Sequence, residues 1–138
     1  MIVWESGDAE NVALCVWKEA RGEGQLGMKA VMDVILNRAK DWNKSLHDVV
    51  YARNQFTSMS VPSDPEYNLQ PQDGDPQYAF CLGLCQQEAA GNNTGDITQG
   101  AHYYCNEATE KSGWFKDNVI DSPSHPRTVK IGRQDFFV

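Results

Sequence analysis

The stretch that decides the fold runs from Cys15 to Ala39 and reads CVWKEARGEGQLGMKAVMDVILNRA. Its second half predicts an amphipathic helix from about Gln25 to Lys40, because apolar residues recur there every three or four positions. The segment RGEG, residues 21–24, separates this helix from the one before it, since its two glycines disfavour continuation of a helix. The apolar stripe of the second helix consists of Met28, Val31, Met32, Ile35, Leu36 and Ala39.

The helix before this break places a carboxyl group on its apolar face. We expect it to run from Asp8, as the N-cap, to about Ala20. Its apolar stripe begins at Val12, and seven residues later the same stripe reaches Glu19. A carboxyl group that loses hydration ionises less readily, which suits a general acid near neutral pH. We therefore predict that Glu19 is a general acid; the alternative is a solvent-facing Glu19 paired with a neighbouring basic side chain.

A second acid, Glu23, follows in the glycine-rich break. It is a candidate second catalytic carboxylate beside Glu19, or it stabilises the N-terminus of the next helix through the macrodipole. Arg21 lies between the two acids and is placed to orient either carboxylate. Asn37 and Arg38 end the second helix, and we expect them to hydrogen-bond back to this turn.

The rest of the chain predicts two more helices and an extended tail. A capping box at Ser45 begins a short third helix. Residues 54–74 are polar and rich in turn signals, which predicts a long loop that lines or covers a functional site. Asp75 and Pro76 are a cap and a first-turn proline that begin a fourth helix. Beyond residue 97 the sequence is aromatic and β-branched, which predicts short strands.

Length and composition indicate one domain, residues 1–138, of the mainly α (α+β) class with a small β part in the C-terminal third. The formal net charge of −7 disfavours a nucleic-acid partner, because phosphates repel such a surface. No apolar run is long enough to insert into a membrane. The N-terminus has no basic segment, so we expect no signal peptide. We expect a monomer.

The four cysteines, Cys15, Cys81, Cys85 and Cys105, allow three interpretations. They are buried thiols of the core, ligands of a zinc ion together with a histidine, or partners in a disulfide. No C-x-x-C spacing is present, so the sequence favours buried thiols.

Aromatic residues in the tail suggest a sugar-binding surface. Tyr103, Tyr104 and Trp114 lie close to polar residues such as Asn106. Aromatic faces beside hydrogen-bonding groups suit sugar rings, which have apolar faces and polar rims. The alternative is an ordinary second hydrophobic cluster.

These motifs together resemble the cell wall hydrolase family of spore cortex-lytic enzymes, the SleB-type catalytic domain. The family has a helix that ends in EARGE, then GQ, then a helix that ends in NR, and further motifs follow in a fixed order. In this chain they are Glu19–Glu23, Gly24-Gln25, Asn37-Arg38, Gln55-Phe56 with Ser58, Tyr103-Tyr104 with Asn106, Trp114, and the closing Ile131-Gly132 with Phe136. The chain departs from the family at Gln134, where the family commonly has histidine, and at Cys105, which is inserted into the family's YYN motif.

The resemblance implies a lysozyme-like, mostly helical fold and cleavage of peptidoglycan glycan strands between N-acetylmuramic acid and N-acetylglucosamine. It implies that Glu19 is the catalytic acid and that no metal or cofactor is needed. The route it favours is that of a lytic transglycosylase, with Glu19 as general acid and base. The predicted substrate-binding residues are Arg21, Gln25, Gln55, Phe56, Ser58, Tyr103, Tyr104, Asn106 and Trp114.

Three alternatives remain at this point. One is a hydrolytic muramidase of the lysozyme type that uses a second carboxylate such as Glu23. Another is a glycan-binding virion protein without catalysis. The third is a metal-dependent amidase or peptidase that uses His102, His125 and the cysteines. Because no signal peptide is expected, the predicted setting is a bacteriophage endolysin that stays in the host cytoplasm until a separate pore releases it, or a lysin carried in the virion.

Overall fold

The computed structural model describes residues 2–138 as a bundle of helices with a small sheet at the C-terminal end. The predicted class, mainly α with a small β part, is confirmed. None of the helices in this range is long and apolar enough to cross a membrane. The helices are α1 (Asp8–Ala20), α2 (Gly24–Asp41), α3 (Leu46–Tyr51), α4 (Thr57–Ser60), α5 (Pro76–Ala89) and α6 (Gly113–Phe115), and the strands are β1 (Tyr103–Cys105), β2 (Arg127–Ile131) and β3 (Gln134–Phe137).

The break between α1 and α2 is a single turn of 3₁₀ helix, Arg21–Glu23, followed by Gly24 with a φ of +80°. That φ favours glycine, which explains why the chain changes direction here. The predicted N-cap of α1 is wrong. Gly7 occupies the cap, and the Asp8 carboxylate instead accepts a hydrogen bond from the backbone N–H of Glu5 (2.7 Å), in the turn before the helix.

The other predicted caps are confirmed. The Ser45 hydroxyl accepts a hydrogen bond from the backbone N–H of Asp48 (3.0 Å), and the Asp75 carboxylate accepts one from that of Tyr78 (2.9 Å). The predicted loop 54–74 contains the short helix α4. The last third of the chain adds α6 and a π-helical turn, Lys116–Ile120, which the sequence did not predict.

Helix α2 lies at the centre of the fold and is buried on two sides. Its predicted apolar stripe packs with α1, α3 and α5 in the main core. Ala30 and Val34, on another side, pack against Ala101 and Phe136 under the sheet. The two faces together leave residues 27–39 of α2 buried.

The sheet has the order β1-β3-β2, and both pairings are antiparallel. Tyr104 lies opposite Phe136 in the register of β1 and β3, and their rings stack with centroids 5.8 Å apart. Because Phe136 is fully buried against α2, this stacking ties β1 to the central helix.

The polar side of α2 is also buried, and it binds the backbone that leads into β1. The Asn37 amide donates to the carbonyl of Ala101 (3.0 Å) and to the carboxylate of Asp96 (2.9 Å). The Arg38 Nε donates to the carbonyl of His102 (2.7 Å). The expectation that Asn37 and Arg38 hydrogen-bond back to the turn after α1 is therefore wrong. Their partners lie about sixty residues further along the chain, where only the tertiary fold brings them.

We predict that Asn37→Ala lowers the free energy of unfolding by about 2 kcal/mol, because it leaves buried acceptors without their donor. Urea denaturation measures the loss. Lys40→Ala, an exposed change on the same helix, is the control and is expected to cost at most about 0.5 kcal/mol. Equal midpoints for the two variants would contradict the anchoring role of Asn37.

Candidate active site

A cavity of about 950 Å³ opens between the end of α1, the segment around α3 and α4, and strand β1. A ligand cavity of this size accommodates several sugar rings. Its lining comes from five separate parts of the chain: Glu19; Arg38, Trp42 and Lys44; Val49 and Ala52–Thr57; Tyr103–Cys105; and Glu110, Ser112, Trp114 and Phe115.

Glu19 lies at the wall of this cavity, half-buried in the last turn of α1. One carboxylate oxygen accepts a hydrogen bond from the Ser58 hydroxyl (2.7 Å), and the other accepts one from the Tyr104 hydroxyl (2.9 Å). Within residues 2–138 the Glu19 carboxylate has no ion pair, so it does not pair with Lys18 or Arg21 as the alternative interpretation proposed.

A buried cation fixes the backbone at Ser58. The Lys18 ammonium, next to Glu19 in α1, donates to the backbone carbonyls of Ser58 (3.2 Å) and Tyr67 (2.7 Å). Burial lowers the pKa of Lys18. Lys18 thus fixes α4 and the loop after it against α1. The sequence does not indicate this role, because an isolated lysine beside an apolar stripe carries no periodic signal.

Tyr104, the second hydrogen-bond partner of Glu19, is a residue of strand β1. Burial and the charge of Glu19 raise the pKa of Tyr104 well above its usual value. The phenol therefore stays protonated at neutral pH and remains a hydrogen-bond donor. Beneath the carboxylate, burial raises the pKa of Cys15 in the same way, so this thiol is neutral.

Arg38 forms part of the inner wall of the cavity. Its guanidinium lies 5.1 to 5.4 Å from the ring centroids of Phe56, Trp42 and Tyr103. Cation–π contacts of this kind are strongest where water is excluded, and Arg38 is only 5% exposed. The guanidinium therefore orders three aromatic rings on one wall.

Most of the predicted site residues come together. Glu19 and five of the predicted substrate-binding residues line the cavity, and Ser58 contacts Glu19 directly. Those five are Gln55, Phe56, Tyr103, Tyr104 and Trp114. Trp114 is 65% exposed, which leaves its face free for a ligand. Their predicted roles stay predictions, but the structure supplies the proximity that these roles require.

Four predicted residues lie outside the lining of the cavity. Glu23 pairs with Arg133, and Arg21 pairs with Glu66 in the loop before α5 (2.6 Å). Gln25 is exposed. Asn106 accepts a hydrogen bond from the backbone N–H of Ala108 (3.1 Å) in the turn after β1.

The second carboxylate at the cavity wall is Glu110, which the sequence analysis missed. It accepts a hydrogen bond from the backbone N–H of Ser112 (2.8 Å). It belongs to an irregular segment before α6, where no periodic pattern marks a functional side chain.

No group of three or more histidine, cysteine, aspartate or glutamate side chains suited to a metal ion occurs in the part of the chain that the structure describes. The four cysteines are buried free thiols. Cys81 and Cys85 pack against the sulfur atoms of Met28 and Met32, at 3.5 and 3.8 Å, within the main core.

A family model described as cell wall hydrolase matches residues 22–137. The chain belongs to the cell wall hydrolase family. It is 30% identical over 135 residues to a spore cortex-lytic enzyme of Halalkalibacterium halodurans. The match covers 96% of this chain but 35% of the relative, so the chain spans about a third of that protein's length.

Two solved structures share the fold. One is described as the catalytic domain of the germination-specific lytic transglycosylase SleB from Bacillus anthracis, with a TM-score of 0.70, 27% identity, and coverage of 98% of this chain and 97% of that chain. The other is the catalytic domain of the Bacillus cereus SleB protein, with a TM-score of 0.69, 27% identity, and coverage of 98% and 92%. The family inferred from the ordered motifs is therefore confirmed, and this cell wall hydrolase is an enzyme.

Proposed function

We propose that this cell wall hydrolase cleaves peptidoglycan glycan strands between N-acetylmuramic acid and N-acetylglucosamine as a lytic transglycosylase, with Glu19 as its general acid and base. The observation that carries the proposal is the environment of Glu19. Its two carboxylate oxygens each accept a hydrogen bond from a hydroxyl group, at the wall of a cavity large enough for several sugars. Similarity to a SleB catalytic domain described as a lytic transglycosylase supports the same reaction.

The reaction proceeds in two steps. In the first, protonated Glu19 donates its proton to the glycosidic oxygen as the bond to C1 of the muramic residue breaks and positive charge develops at that carbon. In the second, the muramic 6-hydroxyl attacks C1, and ionised Glu19 takes the proton that this hydroxyl loses. The product carries a 1,6-anhydro end, and Glu19 returns to its protonated form.

Hydroxyl partners suit a carboxyl group that must hold and release a proton in one cycle. Ser58 and Tyr104 each donate to ionised Glu19, and each has a lone pair to accept from the protonated form. A lysine or arginine partner only donates, so it would favour the ionised form throughout. The site therefore permits both states of Glu19.

Hydrolysis, in contrast, needs a second carboxylate to activate water or to attack C1. Glu23, the second acid that the sequence suggested, is bound to Arg133 and does not line the cavity. Glu110 does line it. A muramidase reaction would thus use Glu110 more readily than Glu23, and both residues serve as controls for the proposed route.

We predict that Glu19→Gln lowers the rate of release of soluble fragments from purified peptidoglycan by at least about a hundredfold, because general acid–base catalysis contributes that much or more. Mass spectrometry of the fragments identifies the reaction. The wild-type protein should release fragments with anhydro-muramic ends, and Glu23→Gln and Glu110→Gln should retain most of its activity.

Other outcomes have distinct meanings. Fragments with reducing muramic ends would identify the wild-type protein as a muramidase. If Glu110→Gln or Glu23→Gln abolished their release, as Glu19→Gln is expected to, the substituted residue would be the second carboxylate. Fragment release that is equal in the wild-type protein and Glu19→Gln would remove Glu19 from the mechanism. Binding without release by the wild-type protein would indicate a glycan-binding protein.

We predict that Tyr104→Phe lowers the rate of cleavage about tenfold, because the Glu19 carboxyl group loses one of the two hydroxyl groups that fix its position. The phenyl ring keeps the stacking on Phe136, so the melting temperature should change little. Ser58→Ala is the matched variant for the other oxygen. Wild-type cleavage rates in both variants would show that the two hydroxyls do not position Glu19.

The bacteriophage setting stays a prediction, and co-expression tests it. Production of the chain inside a bacterium should leave cells intact, whereas production together with a phage pore protein should lyse them. Glu19→Gln with the same pore protein is the control. Lysis without the pore protein would contradict release through a separate pore.

A further inference from the structure

The cavity that holds Glu19 is lined by three cations. Arg38, Lys44 and Arg53 line it, against the two carboxylates of Glu19 and Glu110. The chain as a whole has a formal net charge of −7, with 19 acidic and 12 basic residues. The cavity therefore reverses the sign of the protein's charge at the place where substrate is expected.

Within residues 2–138, these three cations also form no ion pair with a carboxylate. Among residues 2–138, six of the 12 lysines and arginines form ion pairs with aspartate or glutamate, and none of these six lines the cavity. In a chain with an excess of acids, cations that remain unpaired in one cavity are available to a negatively charged ligand.

Arg38 gives independent evidence that a partner is missing. Its Nη1 is buried and makes no hydrogen bond within the described part of the chain. A buried guanidinium donor without a partner is costly, and a ligand oxygen at the cavity wall would satisfy it. Arg38 is the inner cation, while Lys44 and Arg53 are exposed at the rim.

The two rim cations flank helix α3. Lys44 precedes it and Arg53 follows it, and a helix of six residues is about 9 Å long. That span corresponds to about three residues of extended peptide. Cations that flank both ends of α3 suit carboxylates distributed along a short peptide better than a single small anion.

We propose that the side of the cavity formed by Arg38, Lys44 and Arg53 binds carboxylates on the muramic acid substituent, the peptide stem first of all. The inference rests on the proposed function and assigns its substrate preference. The enzyme would prefer glycan strands that still carry peptide to strands that do not, because the peptide stem supplies carboxylates along the α3 side of the cavity. The lactyl carboxylate that remains after stem removal is the other source of the same chemistry.

The test pairs a change in the protein with a change in the substrate. Peptidoglycan carboxylates are converted to neutral amides, and kcat/KM is measured on native and amidated material at low salt. The wild-type protein should prefer native material about three- to tenfold, as expected for two exposed ion pairs. Lys44→Gln combined with Arg53→Gln should abolish this preference, and added salt should weaken it in the wild-type protein.

A matched control removes the same charge elsewhere. Lys40→Gln combined with Lys130→Gln changes two exposed lysines outside the cavity, and it should keep the wild-type preference. An amidation effect of equal size in the wild-type protein and in the Lys44/Arg53 double variant would overturn the proposal.

Glycan strands denuded of peptide distinguish the two sources of carboxylate. A loss by the Lys44/Arg53 variant on stem-bearing strands alone assigns the site to the peptide stem. An equal loss on denuded strands assigns it to the lactyl group and overturns the stem preference. Cosedimentation with insoluble native and amidated peptidoglycan provides the same comparison without catalysis, so a failure of the proposed reaction does not affect this result.

Discussion

The fold and the site both depend on the burial of the polar side of α2. A central helix buried on its polar side needs partners for the polar groups it carries, and the Asn37 amide and the Arg38 Nε find them in the backbone carbonyls of Ala101 and His102. These hydrogen bonds fix the start of β1. Together with the stacking of Tyr104 on Phe136, they hold Tyr104 in position relative to Glu19.

Glu19 is then held between two parts of the chain that are distant in sequence. Ser58 approaches it from α4, which the buried ammonium of Lys18 fixes, and Tyr104 approaches it from β1. Both partners are hydroxyls, so the carboxyl group has defined geometry without a fixed charge state. Among residues 2–138, Arg38, Lys44 and Arg53 line the same cavity without forming an ion pair with a carboxylate.

Local signals in the sequence predicted local structure well. Periodicity predicted α1 and α2, and side-chain caps at Ser45 and Asp75 predicted the starts of α3 and α5, because these features depend on residues within a few positions. The cap at Asp8 failed for a similar local reason: the carboxylate found a donor in the preceding turn instead. The helical turns between residues 113 and 120 have weak patterns and were missed.

The sequence by itself determined the family and singled out Glu19 as the candidate acid, because an ordered set of motifs and a carboxyl group on an apolar stripe can both be read from residues close together in the chain. Only the tertiary structure decided which side chains share the cavity with Glu19. It paired Glu23 with Arg133 outside the cavity lining, placed Glu110 at the wall and brought Arg38, Lys44 and Arg53 to the same cavity. The physical reason is that hydrogen bonds and ion pairs between segments tens of residues apart form only after the helices pack, and no local pattern encodes them.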